Sequence, residues 1–576
     1  MSSYWSADNV VQIGETKVEI PSENGLSYSG NGKISLFVPP SVKFMDGKKS
    51  FLQFNVKLKL PAGANPTLLQ LDHASAGILF SNIRIFDGTR GNLIEELNEY
   101  CNLVAMKYDY DTDDSARNIR SLEEGGTSHS VPNSGTLGNL KSEYTDTFTN
   151  PYFKVGAGKS STLTDEDFTT VKCCVPLHTG VFSGKIFPVM MSNGLYMEFD
   201  LQPASRVIKQ LDTATKNRKL QLNPVFIGVA DGSGGVQDWA DGDAATEFFV
   251  STSNNLEGNN AVNACPFVIG ESIGWIDATG DVEGDKVGFT GGPAIITAIE
   301  LDAATSKLKI TTNSVTNANG ASVTAENFRF YSASVEDAST YDATYEVSDF
   351  NLVVHQVKLD PKFEAGMVAK IREGKAVEFD IHTVTNYKNS LLASDRQTTF
   401  LIHAQNSRAK SLIVQPCDSK IYTSAELISS NGTYSIAENE SDINLNSNRS
   451  GYTGVCDFLS SVQYMINGKL VPSRPISTKK CATRNSIDAF HIFEIEKGLS
   501  NGGIVPRSFV KFLDNWILSR GFAIGSGAMD MRGKDLSAIL KYEEATPPSK
   551  PKMINSFVFH IRKLVMRGSG AVDVEI

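Results

Sequence analysis

Cysteine is scarce, with seven in 576 residues, an odd number at irregular spacing. No CxxC pair and no Cys/His spacing of a zinc site occurs, so a metal-ribbon or finger reading is excluded and no metal or other cofactor is expected. Cys173 and Cys174 are adjacent, a poor geometry for a disulfide between them. The usage as a whole points to a reducing compartment. Long apolar runs are missing too, and none suits a bilayer-crossing helix. Residues 1–20 hold no basic start followed by an apolar core, so no signal peptide is expected. Runs of Lys and Arg are also missing. The chain has 54 basic and 65 acidic residues, a net charge of −11. Coating nucleic acid through its phosphates needs clustered cations, so extensive direct nucleic-acid binding is not expected. The charge instead favours solubility at high concentration.

Catalytic signatures are equally thin. No GxSxG elbow, HExxH or P-loop is present. The eight histidines are scattered, and His355, His382 and His560 lie within strand patterns, where packing or hydrogen bonding is their ordinary role. Asp231-Gly-Ser-Gly-Gly235 does not match a phosphate loop and reads as a surface turn. The adjacent acids Glu95-Glu96 and Asp113-Asp114 read as solvated. The sequons at Asn431, Asn439 and Asn448 read as polar loop residues. No catalytic residue is assigned, and the protein is not expected to be an enzyme.

What is present is strand grammar. Gly is frequent, at 47 residues, and polar turn residues separate short apolar runs, which favours an all-β protein. Leu52, Phe54, Val56, Leu58 and Leu60 alternate with polar residues, as do Leu195, Met197, Phe199 and Leu201. Each is a strand with one wet face. Further strands are expected at 77–87, closed by Asp87-Gly88, at 171–176, and at 350–359. Leu93, Leu97, Cys101 and Val104 suggest an amphipathic helix, followed by a polar loop over 108–168. Asp360-Pro361 is an N-cap followed by Pro at the first helical position. Phe363, Met367 and Ile371 recur every four residues, and Gly374 ends that helix.

The grammar then repeats. Strands are expected at 377–381, 399–402, 411–414, 462–466 before the Asn467-Gly468 turn, 490–495 and 557–561. Phe509, Phe512, Leu513, Trp516 and Ile517 suggest a helical stripe. Ser81–Gly88 resembles Ser461–Gly468, and Phe350–His355 resembles Phe557–His560, in the same order. A duplicated β-unit explains both the length and the order. Residues 231–340 change to a Gly/Ala/Asn/Thr/Asp-rich composition, with apolar pieces at Phe267, 295–301, 308–312 and 328–331 that could fill a small core. The expected organisation is an N-terminal arm over 1–30 and a first jelly roll over 31–359 with an inserted β-domain at about 231–340. A linker helix over 360–374, a second jelly roll over 375–567 and a tail over 568–576 complete it.

The stretch Phe458-Leu-Ser-Ser-Val-Gln-Tyr-Met-Ile-Asn-Gly-Lys-Leu-Val-Pro-Ser-Arg-Pro-Ile476 resembles the second-barrel signature of double jelly-roll major capsid proteins, most closely those of polinton-like viruses and virophages. Val175–Ser183, Ile186–Pro188 and Gly194–Asp200 resemble the matching first-barrel segment. Tyr345–Phe350 resembles the strand that closes that barrel. The resemblance implies two tandem eight-stranded jelly-roll barrels, joined as a homotrimer in which six barrels form a pseudo-hexameric capsomer. The capsomers would build the icosahedral shell of a double-stranded DNA virus. The implied partners are neighbouring capsomers, a penton protein and an internal membrane. The implied location is the virion, after synthesis in host cytoplasm or nucleus, with the insert as an outer tower. Trp5 is a candidate arm contact. Met566-Arg-Gly-Ser-Gly570 resembles a maturation-protease site, with cleavage between Ser569 and Gly570. The competing expectation is a carbohydrate-binding or carbohydrate-active β-sandwich protein; a hydrolase would need two carboxylates across a cleft.

Overall fold

The computed structural model describes residues 12–59, 68–71, 75–113, 116, 119–120, 123–125, 170–184, 186–211, 224–252, 272–277, 289–291, 294–302, 304–305, 307–324, 328–332, 343–392, 395–418, 452–454, 459–478, 488–507, 515–522, 527–542, 551–567 and 570–575. The first seven long strands are β1 (Gln12–Pro21), β2 (Lys33–Val38), β3 (Met45–Lys59), β4 (Phe80–Asp87), β5 (Leu93–Asn98), β6 (Thr170–Pro176) and β7 (Leu195–Leu201). An insertion follows with β8 (Pro224–Ala230), β9 (Ala244–Thr252), β10 (Ser272–Asp277), β11 (Ala294–Leu301), β12 (Leu308–Asn317) and β13 (Phe328–Ser332). The host fold resumes at β14 (Thr344–Leu359).

The eight host strands pair as β1-β14-β3-β6 in one antiparallel sheet and β2-β7-β4-β5 in the other. In barrel order these are first-eighth-third-sixth and second-seventh-fourth-fifth, two four-stranded layers of a jelly roll. Period-two burial drives the closure. Leu52, Phe54, Val56 and Leu58 of β3 face inward, as do Leu195, Met197, Phe199 and Leu201 of β7. Four phenylalanines tie the layers together. Phe54 and Phe350 of one sheet and Phe80 and Phe199 of the other have ring centroids 5.4 to 6.0 Å apart.

The second barrel repeats the order. Its strands are β15 (Val377–Leu391), β16 (Gln397–Ile402), β17 (Ala409–Asp418), β18 (Leu459–Ile466), β19 (Lys469–Ser477), β20 (Leu518–Gly521), β21 (Leu536–Tyr542) and β22 (Lys552–Met566). They pair as β15-β22-β17-β20 and β16-β21-β18-β19, the same permutation. The two segment pairs whose sequences resemble each other therefore hold equivalent places. Ser81–Gly88 and Ser461–Gly468 run along the fourth strands, and Phe350–His355 and Phe557–His560 along the eighth. Helices α1 (Tyr100–Tyr110) and α3 (Ala489–Asn501) both follow a fifth strand. Helix α2 (Pro361–Arg372) joins the barrels. Asp360 caps it by accepting the Lys362 N–H at 2.8 Å, and Gly374 turns the chain at φ +67°, as the sequence predicts.

The insertion makes its own small barrel. Strands β8-β9-β12-β11-β10-β13 pair in that order, and β13 returns to β8. Its core is separate from the host core, with Trp239, Phe248 and Trp275 packed at 4.8 to 5.3 Å between ring centroids.

Several sequence expectations are corrected. The helix expected from Leu93 is strand β5, and the helix starts only at Tyr100. A spacing of four residues fits a strand face as well as a helix face, and Glu99, at φ +53°, breaks the strand. The strand expected over Phe490–Ile495 is α3. Asp488 caps it by accepting the Phe490 N–H at 2.9 Å, and the buried face holds the polar His491 and Glu494 beside Ile495 and Leu499, which hides the helical period. Trp516 and Ile517 lie on extended chain entering β20, not on a helix, while Phe509, Phe512 and Leu513 fall outside the described residues. The strand expected from Gly77 begins at Phe80, after a 3-10 turn over Ala76–Leu79. Residues 12–21, expected in an arm, form the first strand of the first barrel. Residues 572–575, expected in a tail, form β23 (Val572–Glu575) against β22. The four residues of β23 are too few to declare a period, and in the ten of β1 only Ile13, Val18 and Ile20 are large and apolar. Phe267 and the sequons at Asn431, Asn439 and Asn448 lie outside the described residues.

Candidate functional site at the barrel junction

The two barrels meet where β15 and β23 pass β5, and α1 is buried at this meeting. Glu99 opens α1. Its carboxylate accepts from Arg206 at 2.8 Å and from Lys388 of the second barrel. Burial acts to raise its pKa, but the two cations outweigh it and hold the carboxyl below its ordinary range. Arg206 in turn lies 5.3 Å over the Tyr452 ring, and its carbonyl accepts the Tyr452 hydroxyl at 2.9 Å.

One α-helical face carries the next contacts. Asn102 and Asp109 are seven residues apart, two turns, so they share a face. Asn102 Nδ2 donates to Gln415 Oε1 at 3.3 Å. Gln415 Nε2 donates to Asn515 Oδ1, and Asn515 Nδ2 donates to Asp109 Oδ2, both at 2.8 Å. All four side chains are buried. In a low-dielectric interior such a connected network fixes geometry strongly, because each lost partner strands another group.

Glu95 is a fully buried acid of the junction. It accepts from the Gly180 N–H at 2.7 and 2.9 Å, from the Val181 N–H at 3.3 Å, and from the Thr383 hydroxyl of the second barrel. Burial pushes its pKa up against these donors and the nearby Arg562 guanidinium. Gly180 has no room for a side chain, since a Cβ there would fall 2.7 Å from the His382 carbonyl. Beside it opens a cavity of about 440 Å³, lined from both barrels by residues that include Lys107, His178, Thr179, His382, Lys410 and His560.

Of the described residues singled out from sequence, His382 and His560 are brought together at the cavity, and the others lie apart. Trp5 and Ser569 lie outside the described residues. Gly570 sits in a turn at φ +83°, donating to the Arg567 carbonyl at 3.0 Å. His355 is hydrogen-bonded, with Nε2 at 2.8 Å from Glu15, while His382 and His560 line the cavity. Asp231 closes a surface turn on the N–H groups of Ser233 and Gly235. Glu96 meets Arg84 at 3.2 Å on the sheet face, whereas its neighbour Glu95, read as solvated, is buried. Strand alternation separates the paired cysteines as well, with Cys173 inward and Cys174 half-exposed. Among the described residues no cluster of His, Cys, Asp and Glu could hold a metal, and no helix is long and apolar enough to cross a membrane. Sequence reasoning missed Glu95, Glu99, Asn102 and Asn515. Their one signal was polar residues interrupting an apolar stretch.

No protein-family model matches the chain, and no curated protein matches it. Solved structures are similar to it over nearly its whole length. The Faustovirus major capsid protein is 10% identical with a TM-score of 0.45, covering 96% of this chain and 90% of that one. The Sputnik virophage structure gives 10% and 0.45, covering 98% and 89%. The mavirus major capsid protein gives 9% and 0.40, covering 99% and 93%.

Proposed function

We propose that the chain is a major capsid protein whose work is assembly rather than catalysis. The observation that carries this reading is the tandem of two jelly rolls with one strand order, joined by a buried polar junction. Three such subunits around a threefold axis place six like barrels in a ring. A ring of that kind approximates a hexagon and can tile a closed icosahedral shell around double-stranded DNA.

Surface chemistry favours contacts with further copies. Leu401 and Leu470 stand on β16 and β19, the two edge strands of one sheet, and Phe490 and Phe493 face outward from α3. Large apolar side chains at sheet edges are a liability in a monomer and contact surface in an oligomer. The inserted barrel would stand as a tower on the outer face. Neighbouring capsomers, a penton protein and an internal membrane are the proposed partners, and the virion is the proposed location, with synthesis in host cytoplasm or nucleus. Trp5 would contact a neighbouring subunit or the membrane surface. Cleavage between Ser569 and Gly570 would accompany maturation, and an intact C-terminus on protein from mature particles would remove that part.

Negative-stain images of the purified full chain test the reading. Particles with a pseudo-hexagonal outline are expected. Particles the size of one two-barrel subunit, at all concentrations, would contradict it.

A further inference from the structure

We propose that the cavity between the barrels binds a phosphate-bearing anion that bridges them. Its walls hold three lysines and three histidines and no carboxylate. Lys48, Lys107 and His178 come from the first barrel, and His382, Lys410 and His560 from the second. Two buried polar atoms on the lining have no hydrogen-bond partner among the described residues, His560 Nδ1 and Thr179 Oγ1. Their residues are 1% and 2% exposed. Unpaired buried polar groups are costly and usually signal a missing partner. His560 Nε2 already meets Thr385 Oγ1 at 3.1 Å, so Nδ1 is the atom left for a ligand. An oxyanion accepts hydrogen bonds from an imidazole N–H, a hydroxyl and ammonium groups alike.

The acids nearby are otherwise engaged. Glu95 lies behind Thr383 and Gly180, which it already binds. Asp111, one turn beyond Lys107, pairs with Arg120 at 3.2 Å. Asp46 accepts the backbone N–H of Lys48. Burial raises the pKa of both Glu95 and Asp111, against the donors and cations that hold them. Burial likewise pushes Lys107 down, and an anion in contact would reverse that shift. The volume of about 440 Å³ exceeds what a single phosphate fills and suits a short phosphate chain. Since both barrels supply the walls, binding would stabilise their junction by mass action.

The test is thermal unfolding of the purified full chain in sodium tripolyphosphate, and separately in inorganic phosphate, against sodium chloride at matched ionic strength. A saturable rise in midpoint of about 2 °C or more is expected, with tripolyphosphate saturating at the lower concentration. Saturation by inorganic phosphate at an equal concentration would still support the site and assign it a single phosphoryl group. Lys107→Gln and Lys48→Gln should each weaken apparent affinity roughly fivefold or more. Lys48 is exposed, so its variant keeps the test decisive if Lys107→Gln does not fold. Calorimetric titration should give one site per chain. No rise beyond the chloride control, a rise that does not saturate, or one unchanged in Lys48→Gln would overturn the proposal.

Discussion

Asp109, in the last turn of α1, accepts a hydrogen bond of 2.8 Å from the side-chain amide of Asn515, 406 positions later in the second barrel. Both side chains are buried. The Tyr110 hydroxyl donates to the Asn515 carbonyl at 2.6 Å, and Asn515 Oδ1 also accepts the Gly454 N–H at 2.9 Å. A single amide thus connects the first barrel's helix to two segments of the second.

Removing either partner should be costly and the costs should not add. Asn515→Ala and Asp109→Ala are each expected to destabilise by about 2–3 kcal/mol, because each removes hydrogen bonds from a buried, connected network. The double variant should lose less than the sum of the two. Calorimetric unfolding of the four proteins in this cycle reads the coupling.

Asp87 ties the C-terminal strand to the first barrel. It accepts from Thr89, Gly91 and Asn92, and from the Val572 N–H at 3.4 Å. Burial would raise its pKa, but these donors outweigh it and hold the carboxyl below its ordinary value of 3.8. A depressed folded pKa contributes stability above the unfolded value and loses it as pH falls through the folded value. Hydrogen exchange of Val572–Glu575 should therefore stay protected at pH 5 and weaken only below the ordinary value. Asp87→Ala should expose these amides at neutral pH.

Phe350 touches Phe54, Phe80 and Phe199 at once, in both sheets of the first barrel. Phe350→Ala should cost about 3–5 kcal/mol, while Phe350→Leu, which keeps most of the volume, should cost clearly less. Thermal midpoints measured side by side decide this.

The inserted barrel has a core of its own around Trp275. Trp275→Ala should therefore lower one calorimetric transition and leave the transition of the host barrels in place, since distant sites with no shared partners act independently. A single transition that moves as a whole would refute this independence.

The strands were legible wherever one face is wet. Leu195 to Leu201 and Leu52 to Leu58 announce their period because buried and half-buried residues alternate without exception. The permutation was legible only through the paired fourth and eighth strands, since pairing partners such as Val18 and Val354 are far apart in the chain. The α3 helix was misread because its buried face carries His491 and Glu494, with Glu494 held by Arg520 at 2.6 Å. The junction was illegible for a related reason. Glu95 and Asn515 take part of their partners from the other barrel, Thr383 and Asp109 respectively, and nothing local encodes that meeting.

The solution mass of the purified chain, by light scattering behind a sizing column, tests whether assembly is what this fold does. A species of three chains of 62.5 kDa each, persisting on dilution, is the expected result. A well-folded monomer that stays monomeric across a wide concentration range would contradict the capsid reading.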